Sequence, residues 1–505
     1  MKKEILIYLC VFCISYSYSQ DITDALRYSK DGIEGTARFR ALSGAFGALG
    51  GDMSAVSINP AGSSVFNSSH FSLTLSNDNE NNDIQYFNSF SSASNSRFDL
   101  NQIGGAFVFK NRNSESDWKK FTLGLVYNKI EDYEDGWYVR GTNPTNSIGN
   151  YFVDYANGLR LDEISAFPGE SYTDAYIEIG NLYGYGNQQA FLGYESFVLE
   201  PEFNEDANTV YTSNITGGNY DQQYYYASNG FNGKFTINAS AQYGENIYFG
   251  MNLNTHFINF ERSTLIIENN DNEDSLIKEV GFENSLFTIG SGISMQFGSI
   301  FKIQQLRIGL TYDTPTWYSI QDETIQNIAA TREEAGAEVT QIVNPDVLNI
   351  YPRYRLQTPG KFTGSLAYVF GNFGLISFDY SLKDYGNAKF RPTTDSYFVN
   401  QNIDISNQLG MASTFRIGGE CKIKQLSLRG GYRFEESPYT NASIIGDLSG
   451  YSVGLGYGFS KFRIDLTFDE WQRDSNVQLY QIGLTDAAFV DSRNYNFTMS
   501  LNFTL

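Results

Sequence analysis

The sequence predicts an all-β protein: a 14-stranded antiparallel transmembrane β-barrel, plugged by an N-terminal, mostly helical hatch. Three observations lead to this fold class. The 505 residues combine 16% aromatic residues, 47 glycines and only 10 prolines with a mean hydropathy of −0.33. Period-two alternation recurs along the chain, and a glycine-rich segment without it precedes the first strand. An aromatic-rich chain that is hydrophilic on average is typical of alternating strands joined by polar loops.

Residues 1–19 are predicted to be a secretory signal peptide. Two lysines precede the apolar run 5–14, and Ser17 and Ser19 supply small residues at positions −3 and −1 of a cut after Ser19. The run is shorter than the about 20 residues that a membrane-spanning helix needs, and no later uncharged stretch reaches that length. Cleavage would leave Cys421 as the single cysteine, so we expect an exported protein without internal disulfides.

The net charge excludes one class of partner. It is −22 for the whole chain. The signal peptide carries Lys2, Lys3 and Glu4, a net charge of +1, so its removal leaves −23. Binding to nucleic acid requires clustered Lys and Arg that neutralise phosphates. We therefore expect no nucleic-acid partner.

The C-terminal residues show the alternation most clearly. In YNFTMSLNFTL (495–505), Tyr, Phe, Met and Leu occupy one face and Asn, Thr and Ser the other. In an outer-membrane barrel the apolar face meets lipid and the polar face lines the lumen, whereas in a soluble sandwich the apolar face meets another sheet. Fourteen such runs occur, at 71–75, 103–109, 121–127, 233–243, 247–255, 285–297, 305–312, 362–370, 374–380, 414–421, 425–434, 451–459, 462–468 and 494–505. This even number favours a single-chain barrel, with 84–91 as a further candidate strand.

The connections between these runs differ in length. Short turns at 371–373, 422–424 and 460–461 are of hairpin size. Long polar segments occur at 128–232, 313–361, 381–413, 435–450 and 469–493. Short turns on one side and long loops on the other are typical of bacterial outer-membrane barrels, whose long loops are extracellular. An even strand count then places both termini in the periplasm.

Three arginines share the polar faces of two neighbouring predicted strands. Arg416 lies on the first strand with Glu420, and Arg429 and Arg433 lie on the next. On a lipid face each arginine would cost about 2–4 kcal/mol at the membrane midplane. We therefore expect these arginines to point into the lumen.

Residues 20–66 are predicted to form the hatch, ahead of a barrel that spans 67–505. The segment offers short helical stretches and many glycines but no alternating run, and Asn59-Pro60-Ala61-Gly62 marks the turn before the first strand. The spacing of Gly44, Gly47 and Gly50 does not predict a phosphate loop, because no βαβ unit surrounds it. A fourteen-stranded barrel is too wide for its own side chains to fill, so an inserted segment is a natural plug.

The sequence resembles the long-chain fatty-acid transporters of the FadL/TodX type. In that family a glycine-rich hatch with an NPA-type motif precedes the barrel, as Asn59-Pro60-Ala61 does here. FRIGGECKIKQLSLRGGYRFEESPY (415–439) is similar to the family's paired-strand signature, with matches at Arg416, Gly418, Glu420, Lys422, Leu428, Arg429, Gly431, Tyr432, Ser437 and Pro438. The resemblance does not cover the insert 131–230. Cys421 replaces a usual tyrosine, and the chain ends in Leu505 rather than an aromatic residue.

The resemblance implies passive uptake of hydrophobic molecules such as long-chain fatty acids across the outer membrane of a Gram-negative bacterium. Ligand would pass a lumen pocket gated by the hatch at Asn59, Pro60, Ala61 and Gly62 and, as in the family, leave sideways through the wall. A carboxylate head group would require Arg or Lys, and the candidates are Arg353, Arg355, Arg416 and Arg429. We expect a monomer surrounded by outer-membrane lipid, inserted by the barrel-assembly machinery, with no cofactor.

Other chemistry receives little support. His70 and His256 are the only histidines, and no G-x-S-x-G elbow accompanies them. The acidic runs 76–83 and 268–274 lack the pattern of a calcium loop and are interpreted as solvated loop tips. We therefore expect neither an enzyme nor a metal site.

The alternative function is a FadL-like barrel that serves a secretion or surface-assembly complex. A plain diffusion porin is disfavoured, because a hydrophilic pore has no use for a plug.

Overall fold

The computed structural model describes residues 20–113 and 115–505; the predicted signal peptide lies outside the described residues. The strands are β1 (His70–Tyr86), β2 (Ser89–Lys110), β3 (Trp118–Asp132), β4 (Asp135–Asn143), β5 (Leu199–Pro201), β6 (Tyr211–Ser213), β7 (Tyr220–Tyr243), β8 (Ile247–Asn269), β9 (Ile277–Ile303), β10 (Leu306–Asp313), β11 (Trp317–Glu334), β12 (Ala337–Val343), β13 (Asn349–Ile350), β14 (Tyr354–Gln357), β15 (Lys361–Val369), β16 (Gly374–Asp384), β17 (Lys389–Arg391), β18 (Met411–Ile423), β19 (Leu426–Glu435), β20 (Leu448–Gly458), β21 (Phe462–Gln478) and β22 (Ala487–Thr504). The α-helices are α1 (Ile22–Arg27), α2 (Ala37–Arg40), α3 (Ala55–Ile58), α4 (Ile148–Ala156), α5 (Tyr172–Leu182), α6 (Tyr185–Glu195) and α7 (Ser396–Gln408). Short 3-10 helices cover Pro60–Val65, Leu161–Glu163 and Tyr385–Asn387.

Fourteen antiparallel strands close into a barrel, which confirms the predicted fold class. Their order around the wall is β1, β2, β3, β7, β8, β9, β10, β15, β16, β18, β19, β20, β21 and β22, and β22 pairs back with β1. Each of the fourteen predicted runs falls on one of these strands. The further candidate at 84–91 is the tight β1–β2 hairpin rather than a separate strand. None of the helices in the described part of the chain has the length and hydropathy needed to cross a membrane.

Several strands are much longer than the alternation predicted. The run 285–297 is part of the 27-residue strand β9, and the run 71–75 continues through the asparagine-rich segment 76–83 as β1. The prediction that 76–83 forms a loop tip is therefore wrong, because these residues belong to β1. The connection between β21 and β22 is also short, since residues 470–478 belong to β21. In 76–83 the alternation fails because polar residues occupy both faces, whereas in 277–284 of β9 the buried positions Val280 and Phe282 are apolar.

The apolar faces change sides along the barrel. We call the end at which β1 begins and β22 ends the short-turn end, and the opposite end the long-loop end. On β1, Phe71, Leu73 and Leu75 alternate with fully buried polar residues near the short turns, so they face outward, whereas the outward positions of 77–85 are Asn, Asp and Gln. Inward-facing residues change in the opposite direction. They are polar near the short turns, whereas near the long loops they include apolar side chains such as Phe260 of β8, which is 2% exposed. The outer apolar belt is therefore confined to the short-turn half, as expected if lipid surrounds that half alone.

Residues of the predicted hatch, 20–66, lie inside the barrel. Inward-facing strand glycines make room for its backbone: a Cβ on Gly309 would lie 2.2 Å from the Gly47 carbonyl oxygen, and one on Gly431 would lie 2.6 Å from Leu42. Contacts under 3.0 Å would force the hatch to move. These glycines therefore allow the hatch backbone to lie directly against the barrel wall.

The long insert after β3 forms a cap at the long-loop end. Its helices α4, α5 and α6 bury Phe152 and Phe191 against Phe282 of β9 and Ile328 of β11, all at 0% exposure. Glu268 on β8 accepts hydrogen bonds from the Ser147 side chain and the Ile148 backbone at the start of α4. The hatch and the cap thus occupy opposite ends of one lumen.

Candidate functional site

A cavity of about 340 Å³ lies in the lumen beside the hatch, and it is enclosed by hatch residues and by inward-facing residues of the barrel strands. Its lining combines charged side chains from the hatch and from several strands with a few aromatic ones, including Tyr133, Phe260 and Trp471. A pocket of this kind suits a ligand that has both an ionised group and an apolar part.

Three arginines surround a single carboxylate on one side of the cavity. The guanidinium groups of Arg416, Arg433 and Arg473 lie 3.9, 3.7 and 3.8 Å from the Glu435 carboxylate, too far for hydrogen bonds. Arg416 and Arg433 are each 8% exposed. Among the described residues, the Nε atoms of Arg416 and Arg473 have no hydrogen-bond partner. This arginine cluster carries more positive charge than Glu435 can balance and can accept an anion.

The four arginines predicted to bind ligand do not lie together. Arg416 belongs to the arginine cluster in the cavity. Arg429 lies below it in a buried ion network, where it donates to Glu420 at 2.6 Å and to Asp465 at 2.8 Å. Arg353 and Arg355 are exposed, and Arg355 borders an external groove of about 540 Å³. The structure thus brings only Arg416 to the cavity.

Sequence reasoning missed Arg473 and did not single out Arg433 for binding. Arg433 could have been found, because it shares the inward face of β19 with Arg429. No alternation of apolar and polar residues marked Arg473, because its neighbours in β21 are polar on both faces.

The Asn59-Pro60-Ala61-Gly62 turn contacts the barrel wall at the short-turn end. The Asn59 side chain donates to the carbonyl oxygens of Gly47, at 2.7 Å, and of Ser299 on β9, at 3.0 Å. Its oxygen accepts from the Ala61 amide at 3.1 Å and caps the 3-10 helix Pro60–Val65. A Cβ on Gly250 of β8 would lie 2.3 Å from the Pro60 carbonyl carbon. The turn therefore joins the hatch tightly to β8 and β9.

Ion pairs hold the hatch at other points. Arg38 pairs with Glu420 at 3.0 Å, and Arg40 pairs with Asp469 at 2.8 Å. Asp31 accepts from Lys361 of β15 at 2.9 Å and from Lys383 of β16 at 3.0 Å.

Burial by itself raises the pKa of the Asp31 carboxyl, but the ammonium groups of Lys361 and Lys383 outweigh burial and hold this pKa well below its usual range. The carboxylate therefore stays ionised at physiological pH. The hatch is consequently fixed by charge as well as by packing.

The wall is interrupted between β2 and β3. Their ladder ends at the pair Gln102 and Asn128, and the chain bends between β3 and β4. Beyond that point β2 faces β4 across a seam bridged by side chains; for example, the Asn95 amide donates to the Gly136 carbonyl at 3.1 Å. The hatch closes the lower end of the seam, where the Gly32 amide donates to the Ile130 carbonyl at 3.1 Å. We call this line of side-chain contacts the β2–β4 seam.

Charged side chains gather at the lower end of the β2–β4 seam. The Lys129 ammonium lies 2.8 Å from Asp132, 2.9 Å from Asp99 and 3.4 Å from Asp78. Arg97 lies 2.7 Å from Asp132. The lysine side chain is 1% exposed, so it is held by these carboxylates rather than by water.

Both histidines make ordinary structural contacts. The His70 ring stacks on Phe66 with centroids 4.7 Å apart, and His256 lies 2.8 Å from the Ser294 hydroxyl. Within residues 20–113 and 115–505, no group of three or more His, Cys, Asp or Glu side chains is arranged to hold a metal ion.

Comparisons with known proteins agree with the geometry at the level of the fold. No family model matches the chain, and no curated protein matches it. A Pseudomonas aeruginosa FadL homologue of known structure has a TM-score of 0.55 at 11% identity, with 94% of this chain and 99% of that chain covered. The Pseudomonas putida toluene transporter TodX has a TM-score of 0.52 at 13% identity, with the same coverage. The chain therefore has the fold of the FadL/TodX-type channels.

Proposed function

We propose that the protein is an outer-membrane channel for the passive uptake of hydrophobic molecules that carry an anionic head group, such as long-chain fatty acids. The arginine cluster of Arg416, Arg433 and Arg473 around Glu435 is the observation that carries the proposal. An anion there would receive charge-assisted hydrogen bonds in a site shielded from bulk water. The apolar tail would gain about 0.8 kcal/mol per buried methylene group.

The outer apolar belt supports the proposed location. Lipid would surround the short-turn half, so the short turns would lie in the periplasm and the cap outside the cell. The hatch would gate movement from the cavity toward the periplasm. The β2–β4 seam is our candidate for a lateral exit, because the ladder of main-chain hydrogen bonds is absent there.

A binding measurement tests the proposed function. Single-chain carboxylates are titrated into the protein in a neutral maltoside detergent, and their uptake into liposomes containing the protein is followed. Replacement of Arg416 and Arg433 by Gln removes charge-assisted hydrogen bonds worth about 1.5–3 kcal/mol each, so affinity should fall at least about tenfold. Arg353→Gln, at an exposed arginine, is the matched control and should change nothing. Equal affinities of all variants would contradict the proposal.

The surface of the cap favours one alternative. Phe167, Leu182 and Phe203 are 63%, 57% and 62% exposed, so large apolar side chains of the cap are available to a docking protein. In that case the barrel would be a component of a secretion or surface-assembly complex. Mass spectrometry of the purified protein separates the two: a bound amphiphile supports the channel, whereas a stoichiometric protein partner without amphiphile supports the alternative.

A further inference from the structure

A single row of inward-facing residues links two oppositely charged parts of the cavity. Register pairs run from Glu80 on β1 through Asn494 on β22 and Trp471 on β21 to Gly450 on β20. The row continues through Arg433 on β19 to Arg416 on β18. The acidic end on β1 and the basic end on β19 and β18 thus belong to one row of the wall, and the Trp471 indole on β21 lies between them.

The acidic end lacks a cation. Glu80 and Asp135 both line the cavity, and neither forms an ion pair with any residue that the structure describes. Asp135 accepts a hydrogen bond of 2.7 Å from Asn82, which follows Glu80 on the inward face of β1. The nearby cations are committed elsewhere, Arg40 to Asp469 and Arg97 to Asp132. Two carboxyl groups at low dielectric favour a cation between them.

The basic end has fewer negative than positive charges. Glu435 is shared by three guanidinium groups, and the 8% exposed Arg416 lines the cavity with an Nε atom that has no partner among the described residues. Arg433 lies 5.8 Å from the centre of the Trp471 ring. The indole is therefore within one side-chain length of the anion site, and its ring can attract a ligand cation.

We propose that the cavity selects a zwitterionic head group. The phosphate or other anionic group binds Arg416, Arg433 and Arg473, and the ammonium group lies between Trp471 and the Glu80 and Asp135 carboxyls. This inference rests on the proposed function and narrows its substrate class, because a simple carboxylate would satisfy the basic end and leave the acidic end without a cation. Phosphocholine has the required sequence of charges, and its quaternary ammonium suits an aromatic ring flanked by carboxylates.

Three ten-carbon amphiphiles test this inference, each below the concentration at which it forms micelles: decylphosphocholine, decyl phosphate and decyltrimethylammonium. Binding to the full mature protein is measured by calorimetry in maltoside detergent. We expect decylphosphocholine to bind about tenfold more tightly than either singly charged probe. Glu80→Gln should abolish that preference while leaving the affinity for decyl phosphate unchanged or higher. Arg433→Gln should weaken both phosphate-bearing probes.

Controls separate misfolding from loss of the site. Asp135→Asn provides a second change at the acidic end, and Glu338→Gln, on the exposed β11–β12 hairpin, should leave all affinities unchanged. Heat-modifiable gel mobility reports whether each barrel has closed. If decyl phosphate binds wild type as tightly as decylphosphocholine and Glu80→Gln has no effect, the zwitterion inference fails while the channel proposal stands. If no probe binds, the proposed function fails as well.

Discussion

At the scale of single residues, Glu420 shows how the hatch is joined to the wall. Its carboxylate is fully buried and binds Arg38 of the hatch and Arg429 of β19. Glu420→Gln leaves both guanidinium groups short of a counter-charge, which costs about 3–5 kcal/mol when a buried pair is broken. We expect faster hydrogen exchange in the hatch and a measurable ionic leak in planar bilayers. Glu338→Gln is the control, and a hatch as protected as that of wild type would contradict the expectation.

The burial of Lys30 predicts that the stability of the hatch depends on pH. Burial, followed by the positive charge of Arg473, lowers the pKa of the Lys30 ammonium from 10.5 to about 8, while Glu131 and Glu435 oppose the shift. Between these two values the unfolded chain binds more protons than the folded one, so stability rises with pH across that window. The urea midpoint, followed by tryptophan fluorescence, should be higher at pH 9.5 than at pH 7. Lys30→Met should remove most of this difference; an unchanged difference would exclude Lys30 as its source.

Which site residues could be predicted from the sequence depended on local alternation. Arg416 and Arg429 were placed in the lumen correctly, because apolar residues flank each of them in a regular two-residue period. The period could not distinguish an arginine already paired with two carboxylates from one that remains available, since partners come from other strands. Arg353 and Arg355 lie in a poorly regular stretch, where no phase can be assigned.

At the scale of elements, the β2–β4 seam can be tested by locking it. A Cβ on Gly136 would lie 3.7 Å from the Asn95 side-chain oxygen, so side chains at these two positions meet across the seam, and cysteines there are the pair to test. In a Cys421→Ser background, oxidation of the Asn95→Cys, Gly136→Cys variant should abolish uptake of a labelled amphiphile into liposomes, and reduction should restore it. Asn95→Cys alone controls for the substitution. Uptake that is unaffected by oxidation would exclude the seam as the exit.

The strands were predictable only where the outer face is apolar. In the short-turn half, the outer face is apolar and the lumen face polar, which produces a clear period of two. In the long-loop half the outer face is polar, and inner positions such as Phe260 pack on the hatch or the cap. Polar residues on both faces of β1 and β21 then remove the period. Alternation therefore located all fourteen strands but not their ends.

At the scale of the whole molecule, the lumen is closed at both ends by segments that differ in predictability. The hatch could be predicted, because glycine-rich sequence without alternation precedes the barrel. The cap could not: its helices α4, α5 and α6 are short, and their apolar residues pack on the inner faces of β9 and β11. That core is created by contacts distant in sequence. The closure of the lumen is consequently a property of the complete fold.

The final prediction concerns removal of the hatch. Deletion of residues 20–62 would empty the space beside strand glycines such as Gly309 and Gly431, and would take Arg38 away from Glu420. The ladder between strands does not include the hatch, so the barrel should still assemble and migrate as a closed, heat-modifiable form. Its conductance in planar bilayers should rise well above that of wild type. Shortening the exposed β11–β12 hairpin is the matched control and should leave conductance unchanged, whereas a hatchless barrel with wild-type conductance would show that the cap alone seals the lumen.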